Sequence, residues 1–126
     1  MQFAYISPMK VTFFETSMFS ATLTGYLDDD EYRHLQRYML DDPECGAVMP
    51  RTGGFRKLRW TDVRRGKGKR GGLRVIYYWL SDDAKIWMFA IYDKDEMEGL
   101  TSDQEKALAK AITFEVAQRK AKKVKS

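Results

Sequence analysis

Apolar and polar positions alternate along this chain in a pattern that predicts four strands and two or three helices. VTFFET (11–16) is short, apolar and β-branched, which predicts a strand. Residues 17–27 are compatible with a short helix ended by Gly25. Asp28, Asp29 or Asp30 then caps a longer helix, with acids in its first turn where the helix dipole favours them. Tyr32, Leu35, Tyr38, Met39 and Leu40 follow at roughly helical spacing, and Asp42-Pro43 with Gly46 ends the helix near Asp41. Pro50 to Gly54 reads as a turn. In FRKLRWTDV (55–63), Phe55, Lys57 and Arg59 alternate with Arg56, Leu58 and Trp60, which predicts a strand with two distinct faces. RRGKGKRGG (64–72) reads as a glycine-rich loop. LRVIYYWL (73–80) is a nearly continuous apolar strand, suited to the centre of a sheet. A tight turn at Ser81-Asp82-Asp83-Ala84 leads into KIWMFAIY (85–92), giving a hairpin. Thr101 or Ser102 caps a last helix, with Glu105 near its first turn. Its buried stripe is Leu108, Ala111, Ile112 and Val116, and it is expected to fray into the Lys-rich end of the chain.

The helices are segregated from a run of antiparallel strands. That order predicts an α+β fold: an antiparallel-rich sheet of about four strands, N-terminal helices on one face, a C-terminal helix, and a two-layer core. A chain of 126 residues predicts one domain, with 1–8 as an extension before regular structure and 118–126 as a basic tail. Met9 is an alternative start to Met1 for the same reason. No apolar run approaches membrane-spanning length, and MQFAYISPMK lacks the layout of a secretory signal. A cytoplasmic location is expected, and the lone Cys45 fits a reduced compartment.

Charge changes this picture. Residues 51–74 hold ten Lys or Arg against the single acid Asp62, a local charge of +9. The last nine residues carry +5 and the whole chain +4, so the remainder carries −10. Such a localised field points to a polyanion as partner.

The chemistry-bearing candidates lie in that basic stretch. Lys57 and Arg59 share one strand face about 7 Å apart. Arg74, on the next strand, can complete a cationic triangle able to stabilise a phosphorane. Arg64, Arg65, Lys67, Lys69 and Arg70 are candidate phosphate-gripping residues among glycines whose freed amides can approach an anion. Gly66 to Gly71 matches GxGxxG, but it lies between two strands rather than in a strand–helix turn, so a dinucleotide site is rejected. His34, the only histidine, excludes a two-histidine ribonuclease arrangement, and one cysteine excludes a cysteine metal cluster. Of the aromatics crowding the hairpin (Tyr77, Tyr78, Trp79, Trp87, Phe89, Tyr92), most are expected in the core, with one or two free to stack on bases.

Lys57-Leu58-Arg59, Lys69 to Tyr78 (KRGGLRVIYY) and Ile91 to Met97 (IYDKDEM) together resemble the RelE/HigB superfamily of bacterial toxins, nearest its HigB branch, over roughly residues 10–118. The resemblance implies a microbial-ribonuclease-like fold. It also implies a metal- and cofactor-independent endonuclease that cuts mRNA in the ribosomal A site and inhibits translation. The implied partners are ribosome-bound mRNA and a small helix-turn-helix antitoxin, with operator DNA met only through that antitoxin and no membrane. By position, Lys57, Arg59 and Arg74 match the family's basic residues, and Lys94 falls in its catalytic segment. Many relatives have an arginine or histidine after the Lys94 position, whereas this chain continues Asp95, Glu96, Met97.

The implied reaction is attack of a ribose 2′-OH on the adjacent phosphorus. Lys57, crowded by Arg59 and Arg74, is the candidate base, and Glu96 or Tyr92 are alternative acid–base groups. Two other readings use the same charge: a non-catalytic basic module that binds RNA or DNA, and a domain whose basic face meets an acidic protein.

Overall fold

The computed structural model of the chain describes residues 11–62, 68–96 and 99–125, with side chains at 68–71, 119 and 122–125 excepted. The elements run β1 (Thr12–Glu15), α1 (Ser17–Tyr26), α2 (Asp29–Asp41), β2 (Ala47–Val48), β3 (Arg56–Asp62), β4 (Gly68–Leu80), β5 (Lys85–Asp93) and α3 (Ser102–Lys125). The class is α+β, with three helices on one five-stranded mixed sheet of order β1-β5-β4-β3-β2. β1 runs parallel to β5, and the other pairings are antiparallel. The expectation of about four strands missed β2, because two residues are too few to show a period.

Local chemistry explains the helix starts. The Thr16 side chain accepts a hydrogen bond from the Phe19 N–H and so caps α1. Gly25 does not end that helix; it lies inside it, and the chain leaves helical geometry at Leu27. Asp28 and Glu31 form a reciprocal capping box at α2. At α3, Thr101 and Gln104 satisfy each other in the same way. Gln104 therefore takes the place that the sequence offered to Glu105. α3 continues to Lys125, so the segment read as a basic tail is helical through that residue.

The core has two halves, which corrects the two-layer expectation. One half packs Phe19 and Leu23 of α1 and Leu35 and Met39 of α2 on Phe13, Leu58, Val75, Tyr77, Ile86 and Met88. The other packs Leu108 and Ile112 of α3 on Phe55, Ile76, Leu80, Ala90 and Tyr92. The helices thus sandwich the sheet in three layers. Each fully buried Leu or Ile of α3 contributes about 1.5–3 kcal/mol relative to exposure. Phe55 anchors this second half, with the rings of Tyr78, Phe89 and Trp87 at 5.2, 5.5 and 5.9 Å from its own.

A bulge in β5 sets what the α3 side of the sheet presents. Ile76 pairs with Ala90 and Tyr77 with Met88, so Phe89 is the extra residue. Trp87 and Phe89 face α3 before the bulge, and Ala90 and Tyr92 face it afterwards. Without that slip, strict alternation would turn Ile91 and Asp93 to this face instead.

Candidate active site

Beyond the bulge, the α3 side of the sheet becomes polar. Arg59 of β3 lies directly opposite Arg74 of β4, and Arg74 lies opposite Tyr92 of β5. Directly opposed residues in an antiparallel ladder share a face, so these three form one row across the sheet. Lys57, two residues before Arg59, stands on the same face. A cavity of about 420 Å³ opens over this row, and Lys57, Arg59, Arg74, Tyr92 and Lys94 all line it. The Lys94 N–H donates to the Gly72 carbonyl at 2.9 Å, extending the β4–β5 pairing past the end of β5. Met49 and Pro50 form part of the wall.

The sixth functional group was not singled out from the sequence. Glu105, in the first turn of α3, also lines the cavity. Its carboxylate is largely buried, and its Oε1 accepts a hydrogen bond from Arg51 Nε at 3.0 Å. The sequence signal was faint, because an acid in a first helical turn ordinarily serves the dipole or the cap. Gln104 already completes that cap, which leaves Glu105 for the cavity.

The turn that carries Arg51 is fixed onto α3. Arg51 has φ +65°, in the left-handed region that non-glycine residues seldom occupy. Buried Thr52 holds the turn, its hydroxyl donating to the Met49 carbonyl at 2.9 Å and accepting from the Phe55 N–H at 3.1 Å. Gly53, at φ +79°, lets the backbone lie against Ala109 and Ile112 of α3.

The electrostatics favour an anion. Four cationic side chains surround the cavity and, among the described residues, Glu105 is the one carboxylate lining it. Arg74 is held partly by an Nη1–H bond to its neighbour's carbonyl, Leu73 O, at 3.2 Å. Burial pushes the Tyr92 hydroxyl up, and the Arg74 guanidinium works against that rise. Tyr92 therefore keeps its proton at neutral pH and can donate it.

The remaining sequence candidates lie elsewhere. Glu96 does not line this cavity; its Oε1 accepts a hydrogen bond from Tyr26 of α1 at 3.0 Å. The chain turns sharply there, with the Glu96 N–H on the Asp93 carbonyl and the Asp95 N–H on the Asp93 carboxylate, which carries Glu96 towards α1. Arg64, Arg65 and Lys67 lie outside the described residues, as does the segment before Val11. Lys69 and Arg70 belong to the start of β4, not to a loop, because the strand begins at Gly68. His34 is exposed on α2. Cys45 is half-buried beside the Tyr77 hydroxyl, and burial pushes its thiol up, away from reactivity. Of the hairpin aromatics, Tyr77 and Tyr92 are buried, while Tyr78, Trp79, Trp87 and Phe89 are half-buried.

No protein-family model matches the chain. Among solved structures, it is similar to an E. coli toxin RelE mutant in the free state, with a TM-score of 0.49 and 11% identity, over 68% of this chain and 85% of that one.

Proposed function

We propose that this chain is an endoribonuclease that cuts mRNA on the ribosome, the toxin of a toxin–antitoxin pair. One observation carries the reading: Lys57, Arg59 and Arg74, from two adjacent strands, meet Tyr92 and Lys94 around a single cavity. The basic stretch 51–74, to which β3 and the Arg74 end of the site belong, supports it with its concentration of phosphate-seeking charge along the sequence. So does the RelE/HigB-like order of the K-x-R strand and the R-V-I-Y-Y strand.

The chemistry follows from the groups present. A ribose 2′-OH attacks the adjacent phosphorus, and charge develops on the non-bridging oxygens. Arg59 and Arg74, opposed across the ladder, hold those oxygens from two sides. Lys57 and Lys94 complete the positive wall. Tyr92 gives its proton to the leaving 5′-oxygen. The products are a 2′,3′-cyclic phosphate and a 5′-OH, formed with no metal or cofactor. The ribosome supplies orientation, which can account for a large part of the barrier reduction. The same reading makes the chain a HigB-like toxin with an antitoxin of the helix-turn-helix kind, operator DNA only through that antitoxin, and a cytoplasmic site of action.

The test is 5′-end mapping of mRNA in a translating extract, with and without the purified protein, and again without ribosomes. New in-frame ends that require translating ribosomes are expected. Tight RNA binding with no new ends would replace this reading with that of a non-catalytic RNA-binding module.

A further inference from the structure

We infer that Glu105 is the catalytic base of this site and that Arg51 is the residue that positions it. The inference rests on the endoribonuclease reading above. A cyclising cleavage needs a group that takes the 2′-OH proton, and an ammonium or guanidinium can do so only after losing its own. Among the described residues, every side chain lining the cavity with a charge is a cation except Glu105. Glu96, the carboxylate that the sequence offered, is engaged by Tyr26 outside the cavity.

The local geometry is that of an oriented base. Arg51 engages Oε1 alone, and Oε2 has no hydrogen-bond partner among the described residues. A base held by a third group is the arrangement that nucleophile activation requires. The orienting residue sits at a strained backbone position, φ +65°, which the hydrogen bonds of Thr52 and the contact of Gly53 with α3 keep in place. Such outliers persist where the surrounding structure over-determines them.

In the step itself, Oε2 takes the 2′-OH proton as the 2′-oxygen bonds to phosphorus. The P–O5′ bond breaks, and the leaving oxygen takes the Tyr92 proton. Glu105 finishes protonated and Tyr92 as phenolate, and proton exchange with solvent restores both. Lys57 then neutralises the phosphorane and is not the base.

The experiment compares wild type, Glu105→Gln and Arg51→Gln, both variants breaking the same ion pair. Readouts are cleavage rate against pH in a translating extract, RNA affinity, and thermal unfolding. Glu105→Gln is expected to cut about 10²–10⁴-fold more slowly. It keeps RNA affinity and loses the acidic limb of the pH–rate profile. Arg51→Gln keeps that limb with a smaller loss of rate, because the carboxylate is still present. Two results overturn the inference while leaving the nuclease intact: wild-type rate and limb in Glu105→Gln, or identical losses and identical profiles in both variants. Absence of new 5′ ends from the wild type overturns the nuclease reading and this inference with it.

Discussion

Arg59 and Arg74 face each other directly across the β3–β4 ladder, on the side of the sheet that opens to the cavity. Like charges directly opposed in a ladder are destabilising, so the pair has a cost that a bound phosphate relieves. Arg59→Gln is expected to unfold at the same or a higher temperature than wild type, while its cleavage falls. Arg74→Ala removes the arginine shared by both ladders and is expected to lose about 10²–10³-fold in rate, enough to abolish growth arrest. Growth assays paired with thermal melts check both. Wild-type toxicity from a correctly folded Arg74→Ala protein would remove Arg74 from the site.

Tyr92 is expected to act through its hydroxyl alone. Tyr92→Phe keeps the ring packed against Ala90 and Leu108 of the second core half. Folding should therefore be preserved, while the rate falls by about 10²–10⁴-fold and the alkaline limb of the pH–rate profile is lost. Single-turnover cleavage across pH gives the answer.

Gly53 and Gly25 should respond in opposite directions to alanine. A Cβ on Gly53 would lie 2.9 Å from Ile112 Cγ2 and 3.4 Å from the Ala109 Cα, at a φ of +79°. Gly53→Ala is expected to destabilise by about 1–3 kcal/mol and to push the 50–54 turn off α3. Gly25 lies within α1 with nothing within 4 Å of an added Cβ. There alanine is expected to stabilise by about 0.5–1 kcal/mol. Urea midpoints distinguish the two.

Stability should fall at high pH because of Tyr32 and Tyr77. Desolvation raises both hydroxyls far above the ordinary tyrosine value; bonding to the Glu15 carboxylate adds to the rise at Tyr32, and bonding to Cys45 at Tyr77. Above about pH 10 the unfolded chain releases protons that the native tyrosines still hold. The unfolded state then binds fewer protons, so stability declines with rising pH, by about 1.4 kcal/mol per unit for each tyrosine. Below that pH the contribution is fully present. Tyr92, whose hydroxyl is also raised, adds to the same slope; unfolding in urea at pH 9 and pH 11 measures it, and Tyr32→Phe is expected to remove one tyrosine's share. Tyr77→Phe additionally strands the Gly46 N–H and the Pro43 carbonyl, which the hydroxyl joins at 2.9 and 2.8 Å. That loss costs about 1–3 kcal/mol for each group left buried and unpaired.

Much of the fold is legible in the sequence. A cap within Asp28–Asp30, the helix that ends at Asp41, the β4–β5 hairpin and the Leu108–Ile112 stripe all follow from local rules of capping and period, and the structure settles the cap on Asp28. So did the pairing of Lys57 with Arg59 on one strand face, since alternation along a strand is a property of the backbone itself. The amphipathic pattern says which side of a helix is buried but not which face of a sheet it covers. For that reason α3 was placed in the wrong layer scheme.

What the sequence determined by itself is the chain's charge, its helix caps, its strand periods and the cationic pair, all of which depend on neighbours within a few residues. What only the tertiary structure decided is which distant groups meet. The single extra residue Phe89 shifts the phase of β5 and so turns Tyr92, rather than Ile91, towards the arginines. A glycine at position 53 lets α3 approach closely, and a Thr101–Gln104 cap leaves Glu105 free to enter the cavity. Neither event leaves a local signature, because a bulge and a helix docking are set by the packing of whole layers, not by the propensities of the residues that move.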